Sequence, residues 1–519
     1  MHDGPLKERI TERLWQVVDA DANICSATLT GSFLNSETLD GLSDIDFVVI
    51  TEELSQSSFN SLTRQFSEAV ADVVASEGMT FLLNPTLGPL KFNEPNLVVL
   101  HLMLYSREAH KMHVIQSPFT CLDWQRSECY RKDSMESVYP TFGLQPHHFH
   151  SARRSISDYL RDYRTRVVSF RELACTEVGY SEVRREKPMD DRDRHEFAYH
   201  VIRFLMLNLL KLIRRESKCH QDLTVLARDY ATAFPIGAES ATQLLFQLAD
   251  KKRRLDYAAS IEGLDKRLEA FVADFESQFR ITFHKNAKRH MFLRHARTPM
   301  NVGDLRFVGR TDIGICDTGS PGDENRRSFE RVAEILNDSQ LSPGRLFTSP
   351  LNRCRQTLTH IANRCDLIEQ PVVASNHLVE IDYGTCEGLT ISQAREKHPD
   401  LFGLWAQGED PRFPDGECGK DVRRRLSSFL QESIEGSRED SVVCTHNVVL
   451  RTLVGDLLGV PEQLQYLIKI PHVMPLEVIS TERFGLFLDL SAEVQEQLFA
   501  SFEHSSVSKD SVSLRGRAA

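Results

Sequence analysis

Residues 292–298 read Phe-Leu-Arg-His-Ala-Arg-Thr, so a short apolar run leads directly into an arginine–histidine pair. The run has the length of a buried strand, and open α/β sheets bind ligands at the carboxyl ends of their strands. His295 would therefore stand at the ligand-binding edge of a sheet. Arg294 beside it can bind a phosphate through two parallel N–H groups. The stretch predicts a phosphate site at a strand end.

Three further polar motifs follow strand-like runs later in the chain. They are SPLNRCRQT at 349–357, LVEIDYG at 378–384 and VCTHN at 443–447. Because the carboxyl ends of parallel strands lie at one edge of a sheet, we expect all four motifs to meet there.

These four motifs, in this order, resemble the histidine phosphatase (phosphoglycerate-mutase-like) superfamily over roughly residues 290–490. Asn301 and the loop 308–312 (VGRTD) are similar to the mutase and α-ribazole-phosphatase-like branch. The resemblance implies a three-layer α/β fold with a mostly parallel sheet, and it places Asn301 and Gly309 at the phosphate. Two positions depart from the family. Ala296 stands where glycine is usual, and Arg297 stands where glutamate is common, which would change what the pocket admits.

The resemblance also implies a role for each side chain. His295 would attack phosphorus and form a phosphohistidine, which divides one difficult step into two. Arg294, Arg353 and His446 would hold the phosphoryl oxygens. Glu380 would protonate the leaving oxygen and then accept a proton from water, which requires a raised pKa. No metal or other cofactor is expected for this reaction.

A second constellation lies near the N-terminus, where LTGSF at 29–33 precedes SDIDFVVI at 43–50. Asp44 and Asp46 are two residues apart on a predicted strand, so they share one face. Two like charges about 6 Å apart repel by about 3 kcal/mol at an effective dielectric constant near 20. A divalent cation would remove this repulsion, and hard oxygen ligands favour Mg²⁺ or Mn²⁺. Gly31 allows close backbone approach, and Ser32 can donate to a phosphate.

This arrangement resembles the DNA-polymerase-β-like nucleotidyltransferase superfamily over about residues 15–140. The resemblance implies an α/β fold in which the aspartates bind the metal of a nucleoside triphosphate, Gly31 and Ser32 contact its phosphates, and a helical domain follows. The family usually adds a third carboxylate from a later strand. The strand best placed here, residues 96–105, carries His101 instead. Three interpretations stay open: His101 is the base, it marks a site that binds nucleotide without transferring it, or it only completes a buried hydrogen bond.

The whole chain is therefore predicted to be an α/β multidomain protein. We expect a nucleotidyltransferase-like domain at 1–140, a central helical bundle at 141–285, the phosphatase domain at 286–490 and a polar tail at 491–519. Apolar residues at steps of three and four predict helices over 196–213 and 264–283. The charged stretch 175–193 is predicted to be an exposed loop.

Composition narrows the possible functions. The 519 residues are 41% hydrophobic and 26% charged, which is ordinary for globular proteins, and no apolar run is long enough to span a membrane. The net charge of −12 argues against nucleic acid as a partner. Eleven scattered cysteines without paired spacing, together with the absence of a signal-like N-terminus, predict a reducing, cytoplasmic location.

These observations predict a bifunctional enzyme. The N-terminal part would transfer a nucleotidyl group from a nucleoside triphosphate to a small acceptor with Mg²⁺ or Mn²⁺, and the C-terminal part would hydrolyse a phosphorylated metabolite. The alternative is an active phosphatase regulated by an N-terminal domain that binds nucleotide without catalysis. The sequence identifies neither the substrates nor the oligomeric state.

Overall fold

The computed structural model describes residues 5–35, 44–90, 92, 96–151, 156–176, 179–214, 222–254, 256–257, 260–338 and 341–502. The chain divides into two compact units: residues 1–144 with 148–278, and residues 145–147 with 279–519. The division at 278 lies close to the expected boundary at 285. The expected boundary at 140 falls inside the first unit, and the proposed domain layout stays a prediction.

The first unit contains a mixed sheet of five strands. In chain order they are β1 (Ile24–Thr30), β2 (Ile45–Thr51), β3 (Thr80–Asn84), β4 (Leu97–Ser106) and β5 (Tyr130–Lys132). Their order across the sheet is β3-β4-β2-β1-β5. β4 is parallel to β2 and β3, whereas β1 is antiparallel to β2 and β5. Phe47 of β2 packs edge-to-face on Phe66, so the sheet buries one face against a helix. The α/β pattern expected for this part is confirmed.

Helices make up most of the rest of this unit. They are α1 (Leu6–Ala20), α2 (Gln56–Ala75), α3 (Arg107–Gln116), α4 (Pro118–Trp124), α5 (Met135–Val138), α6 (His148–Ser151), α7 (Ile156–Thr165), α8 (Asp191–Arg214), α9 (Leu223–Ala233), α10 (Ala238–Arg254) and α11 (Leu264–Arg280), whose last turn passes residue 278. α8 contacts α7, α9 and α10. The helices expected over 196–213 and 264–283 are therefore present, and the second continues beyond Arg280 as a π-helical segment, Ile281–Lys285.

One expectation for the central region is wrong. Much of the stretch 175–193, predicted to be a loop, belongs to an antiparallel hairpin of β6 (Val167–Thr176) and β7 (Gly179–Pro188). Its charged residues pair across the strands: Arg171 with Glu182 at 2.6 Å and Glu172 with Arg185 at 2.9 Å. Opposite charges on neighbouring strands stabilise a sheet, so a run that resembles a solvated loop forms a polar hairpin.

The second unit is built on a sheet of six strands. They are β8 (Lys288–Arg294), β9 (Pro343–Thr348), β10 (Val372–Ala374), β11 (Asp440–Thr445), β12 (Pro475–Thr481) and β13 (Gly485–Asp489). The order is β10-β9-β11-β8-β12-β13, in which the first four strands are parallel and the last two join antiparallel. The mostly parallel sheet is confirmed. Val372 and Val373 of β10 are 59% and 40% exposed, because this strand lies at the sheet edge.

Helices cover both faces of this sheet. They are α12 (Gly319–Asp338), α13 (Asn352–Arg364), α14 (Ile391–Lys397), α15 (Pro399–Ala406), α16 (Gly419–Phe429), α17 (Asn447–Leu458) and α18 (Ala492–Phe499). Leu346 of β9 belongs to a core shared with α12 and α13, whereas the next residue, Phe347, packs on Phe429 of α16. Successive side chains thus face opposite helical layers, as expected for a three-layer arrangement.

The segment 491–519, expected to be a polar tail, begins with helix α18. Leu498 and Phe499 are buried, so the apolar side of this helix adds to the core of the second unit. Residues 503–519 lie outside the described residues. Among the described helices, none combines the length and the apolar run that a membrane crossing requires.

Candidate active site

Strand register brings the four C-terminal motifs to one edge of the six-stranded sheet. Arg294 at the end of β8 is paired with Thr445 of β11, and Cys444 of β11 is paired with Thr348 of β9. The residues that follow these strands are therefore neighbours, and the amide of His295 donates to the Thr445 carbonyl at 3.0 Å. The predicted convergence of the motifs is confirmed.

One ring nitrogen of His295, Nδ1, is hydrogen-bonded, and the other, Nε2, is available to a ligand. Its Nδ1 lies 2.8 Å from the carbonyl of Ala296, and because a carbonyl only accepts, Nδ1 carries the proton. In the described part of the chain, Nε2 has no hydrogen-bond partner. Burial, together with His446 and nearby arginines, holds the pKa of His295 well below 6.5. The ring is therefore neutral, with a lone pair on Nε2 that can attack an electrophile.

His446 lies beside this ring, with centroids 5.2 Å apart. Arg353 Nε donates to its Nδ1 at 3.3 Å, so the proton resides on Nε2, which lies 2.8 Å from the Ser349 hydroxyl. Burial, followed by Arg353, holds the pKa of His446 well below its ordinary value. Both nitrogens of His446 thus have partners that fix its ring at the strand edge. Its contact with phosphoryl oxygens stays a prediction, and it would require the Nε2–H to leave the Ser349 hydroxyl.

The two predicted arginines, Arg353 fully buried and Arg294 partly buried, differ in how they are held. Arg353 donates to the carbonyls of Thr311 and Gly309, both at 2.7 Å, which leaves part of its guanidinium available to a ligand. Arg294 donates to the Ile470 carbonyl at 2.6 Å, and its Nε is buried without a partner among the described residues. Burial lowers the pKa of Arg294 to about 10, with a smaller contribution from Arg451. It stays charged at neutral pH, and its unpartnered N–H suits an oxyanion.

Glu380 lies at the N-terminus of α17. Its carboxylate accepts from the amide of Ile381 at 3.0 Å and from that of Val448 at 3.2 Å. Backbone donors at a helix start favour a carboxylate there. Its predicted role in proton transfer stays a prediction.

Gly309 and Asn301 have structural partners of their own. The amide of Gly309 donates to Glu387 at 2.9 Å, and a Cβ at this position would lie 2.2 Å from the Ile381 carbonyl, so only glycine fits. Asn301 Oδ1 accepts from the amide and hydroxyl of Thr298 and closes the turn Pro299–Asn301. Their contacts with phosphate stay predictions, and Gly309 could offer its amide only by releasing Glu387.

Two residues near the site carried no motif signal. Arg451 of α17 is 8% exposed and donates to the Ile468 carbonyl at 2.8 Å. Burial lowers its pKa, and the nearby Tyr383 and Glu380 act in the opposite direction. An arginine within the apolar run VVLRTLV was the signal that could have revealed it. His472 lies beside His295, with ring centroids 5.4 Å apart, and nothing local in the sequence distinguishes it. Arg297, the unusual residue of the first motif, pairs with Glu324 of α12 at 2.9 Å.

The N-terminal candidates also converge, within the first unit. Asp46 of β2 is paired with His101 of β4, and ligand atoms of Asp44, Asp46 and His101 lie within 4.8 Å of one another. A Cβ on Gly31 would lie 2.5 Å from Asp46 Oδ2, so this carboxylate needs glycine opposite it. The side chain of Ser32 lies outside the described residues.

The surroundings of His101 fit a metal site. Its Nε2 lies 2.9 Å from the Thr86 carbonyl and therefore carries a proton, whereas Nδ1 points to Asp46 Oδ1 at 2.9 Å. Metal-binding histidines commonly donate their second N–H to a carbonyl in this way. Asp44, Asp46 and His101 could therefore hold a divalent cation, with Nδ1 of His101 as its ligand atom.

The edge of the six-stranded sheet thus carries a neutral histidine close to two arginines. This combination is typical of phosphoryl-transfer enzymes that use histidine as the nucleophile. Residues 291–489 match the family described as histidine phosphatase superfamily (branch 1). The chain is 31% identical over 214 residues to a 2,3-bisphosphoglycerate-dependent phosphoglycerate mutase of Leifsonia xyli subsp. xyli, covering 36% of this chain and 83% of that protein. The chain belongs to the histidine phosphatase superfamily, as its motifs predicted.

Other relatives have different activities in their names. A phosphoserine phosphatase 1 of Hydrogenobacter thermophilus is 29% identical over 175 residues, covering 33% of this chain and 76% of that protein. The solved structure of a mycobacterial glucosyl-3-phosphoglycerate phosphatase is 24% identical and covers 39% of this chain and 98% of its own, with a TM-score of 0.32. The family match does not extend to the first unit, whose nucleotidyltransferase resemblance stays a prediction.

Proposed function

We propose that the second unit hydrolyses phosphomonoesters of small metabolites through a phosphohistidine at His295. Nε2 attacks phosphorus, the bond from phosphorus to the ester oxygen breaks, and Glu380 gives its proton to the leaving alcohol. A water molecule then attacks phosphorus and loses a proton to Glu380, the phosphorus–nitrogen bond breaks, and phosphate leaves. Arg294 and Arg353 offset the charge on the phosphoryl oxygens in both steps.

The observation that carries this proposal is the state of His295. Its Nδ1 is fixed by the Ala296 carbonyl and its Nε2 is open, at a site with positively charged surroundings. The related proteins support a phosphomonoester as the substrate, since a mutase and a phosphatase both act on such groups. Arg297 lies in the first motif and pairs with Glu324, and we propose that this pair changes which esters are admitted.

The proposal is tested with p-nitrophenyl phosphate and with trapping of radioactive phosphate on the protein. His295→Ala should abolish both phosphate release and labelling. His377→Ala is the matched control, because that histidine lies in the same unit with a side chain 41% exposed and only a 3.9 Å contact to Glu432. Turnover in the His295 variant comparable with that of the control would refute the proposed nucleophile.

A second candidate function belongs to the first unit. We propose that Asp44, Asp46 and His101 bind Mg²⁺ or Mn²⁺ for nucleotidyl transfer from a nucleoside triphosphate to a small acceptor. It is supported by the convergence of these three groups and by the N–H of His101 that faces Thr86. The alternative is a site that binds nucleotide without transfer and regulates the phosphatase.

Calorimetric titration with Mn²⁺, then with each labelled nucleoside triphosphate, separates these possibilities. Asp44→Asn should weaken metal binding, whereas Asp72→Asn, an exposed carboxylate on α2, should not. Release of pyrophosphate with a suitable acceptor would support transfer, and triphosphate binding without it would support regulation. Equal metal affinity in the two variants would refute the site.

A further inference from the structure

The imidazole of His472 stands next to the nucleophile without a role in the proposed reaction. It lies in the loop before β12, and its ring centroid is 5.4 Å from that of His295. The His295 ring therefore has two imidazole neighbours, His446 and His472. These three histidines lie close to Arg294 and Arg353, and the role of each histidine has to be considered separately.

His472 is held in a defined orientation. Its Nδ1 lies 2.9 Å from the carbonyl of His295 and must therefore donate to it. Burial, followed by the charge of Arg294, holds the pKa of His472 well below 6.5. The free ring is thus neutral, and its Nε2 has a lone pair and no hydrogen-bond partner within the described residues.

The backbone next to His472 is strained. Val473 has φ +58°, a left-handed conformation that is unfavourable for a β-branched residue. Its amide donates to the Arg294 carbonyl at 3.0 Å, while the His472 ring donates to the following carbonyl, that of His295. Strain of this kind persists only where the surrounding contacts enforce it, and it is concentrated at functional sites. The two hydrogen bonds fix the ring against the end of β8.

The three imidazoles differ in what each could offer an incoming phosphate. His446 has both nitrogens engaged, by Arg353 and Ser349. His295 must keep Nε2 unprotonated in order to attack phosphorus. Only His472 has an open nitrogen that the covalent chemistry does not require.

We propose that His472 is a phosphate-binding residue that takes up one proton when a phosphomonoester dianion enters the site and then donates Nε2–H to it. The proton comes from solvent and forms the Nε2–H bond, and it returns to solvent when phosphate leaves, so no bond between heavy atoms changes. The inference rests on the proposed phosphatase function at His295. Burial opposes protonation of the free ring, as do Arg294 and Arg297, and the His295 carbonyl favours it. A dianion beside the ring reverses this balance, because an adjacent negative charge raises the pKa of an imidazole.

The test measures proton uptake when inorganic phosphate binds to the full chain. Calorimetry at pH about 8, where inorganic phosphate is mainly the dianion, is repeated in buffers of different ionisation enthalpy. Any proton that phosphate itself releases on binding cancels when two variants are compared. Wild type should take up close to one proton more per bound phosphate than His472→Asn. Asparagine is uncharged and keeps an N–H for the His295 carbonyl. Its phosphate affinity should be roughly 10- to 100-fold lower, as for the loss of one charged hydrogen bond.

His472→Leu separates this role from a purely structural one, because leucine offers no N–H to the His295 carbonyl. If the ring served only to fix that carbonyl, the asparagine variant would match wild type and only the leucine variant would be impaired, which would overturn the inference. Equal proton uptake in wild type and the asparagine variant would also overturn it while leaving the phosphatase proposal intact. A wild-type chain that neither binds phosphate nor releases it from p-nitrophenyl phosphate would instead refute the proposed function, and this inference with it.

Discussion

Replacing Gly309 by alanine should reduce catalysis indirectly, because the Gly309 carbonyl holds the guanidinium of Arg353. The added Cβ would lie 2.2 Å from the Ile381 carbonyl, so the two must separate by at least 0.8 Å to reach 3.0 Å. The Gly309 carbonyl holds the Arg353 guanidinium at 2.7 Å, and the neighbouring Thr311 carbonyl does the same. A displacement near 1 Å in a catalytic group costs about 100-fold in rate. We therefore expect kcat/KM for p-nitrophenyl phosphate to fall about 100-fold, equivalent to about 2.7 kcal/mol.

The same substitution should reduce the free energy of unfolding by about 1–3 kcal/mol, the usual cost of overpacking. Gly403→Ala is the matched control, since no heavy atom lies within 4 Å of its added Cβ and the residue lies in α15, where alanine favours the helix. Steady-state kinetics and urea denaturation of both variants provide the comparison. A Gly309 variant with activity within about threefold of the control would refute the argument that this loop positions Arg353.

Three other perturbations test separate parts of the site. Glu387→Ala leaves the amides of Gly309 and Thr311 without their acceptor. The free energy of unfolding should therefore fall by about 1–3 kcal/mol, and activity should fall as in Gly309→Ala. A stable variant with normal kcat would contradict the role of this contact. Glu380→Gln should lose about 10²- to 10⁴-fold in rate, with a greater loss for esters of poorly leaving alcohols than for p-nitrophenyl phosphate, and equal losses would exclude Glu380 as the acid. Burial lowers the pKa of His290 to about 4, so between pH 6.5 and 4 the unfolded chain binds a proton that the folded chain does not. The free energy of unfolding should therefore fall by up to about 3 kcal/mol as the pH is lowered through this range. An identical pH dependence in His290→Gln would contradict this.

The catalytic motifs were predictable because each is local. A strand that ends in a polar residue can be recognised within a few residues, and the rule that parallel strands end at one edge places His295 beside His446. The register confirms this, since Arg294 is paired with Thr445. His101 was selected differently, from the resemblance to nucleotidyltransferases, and the structure pairs it directly with Asp46.

The parts that were missed depend on contacts between distant segments. His472 reaches the site because Val473 is bonded to Arg294, about 180 residues earlier in the chain, and no local pattern contains that information. The hairpin β6–β7 was missed for a related reason. Glu182 and Arg185 belong to a charged run that is typical of a solvated loop. Their partners, Arg171 and Glu172, lie on the neighbouring strand, outside that run.

The positive charge around His295 has two effects: it keeps the ring unprotonated and it attracts an anionic ligand. In the proposed reaction the ring must be unprotonated to attack phosphorus, and the proposed substrate is a dianion that needs positive charge nearby. A cation about 6 Å away, at an effective dielectric constant near 20, disfavours protonation of the ring by about 3 kcal/mol, and it attracts a dianion by about twice that amount. Arg294 and Arg353 lower the pKa of His295 and also have donors to offer. Their charges would therefore keep the proposed nucleophile unprotonated in the free protein. When the dianion binds, it offsets these charges and would favour protonation of the nearest open imidazole. A second imidazole that accepts this proton, as proposed for His472, would leave Nε2 of His295 free to react.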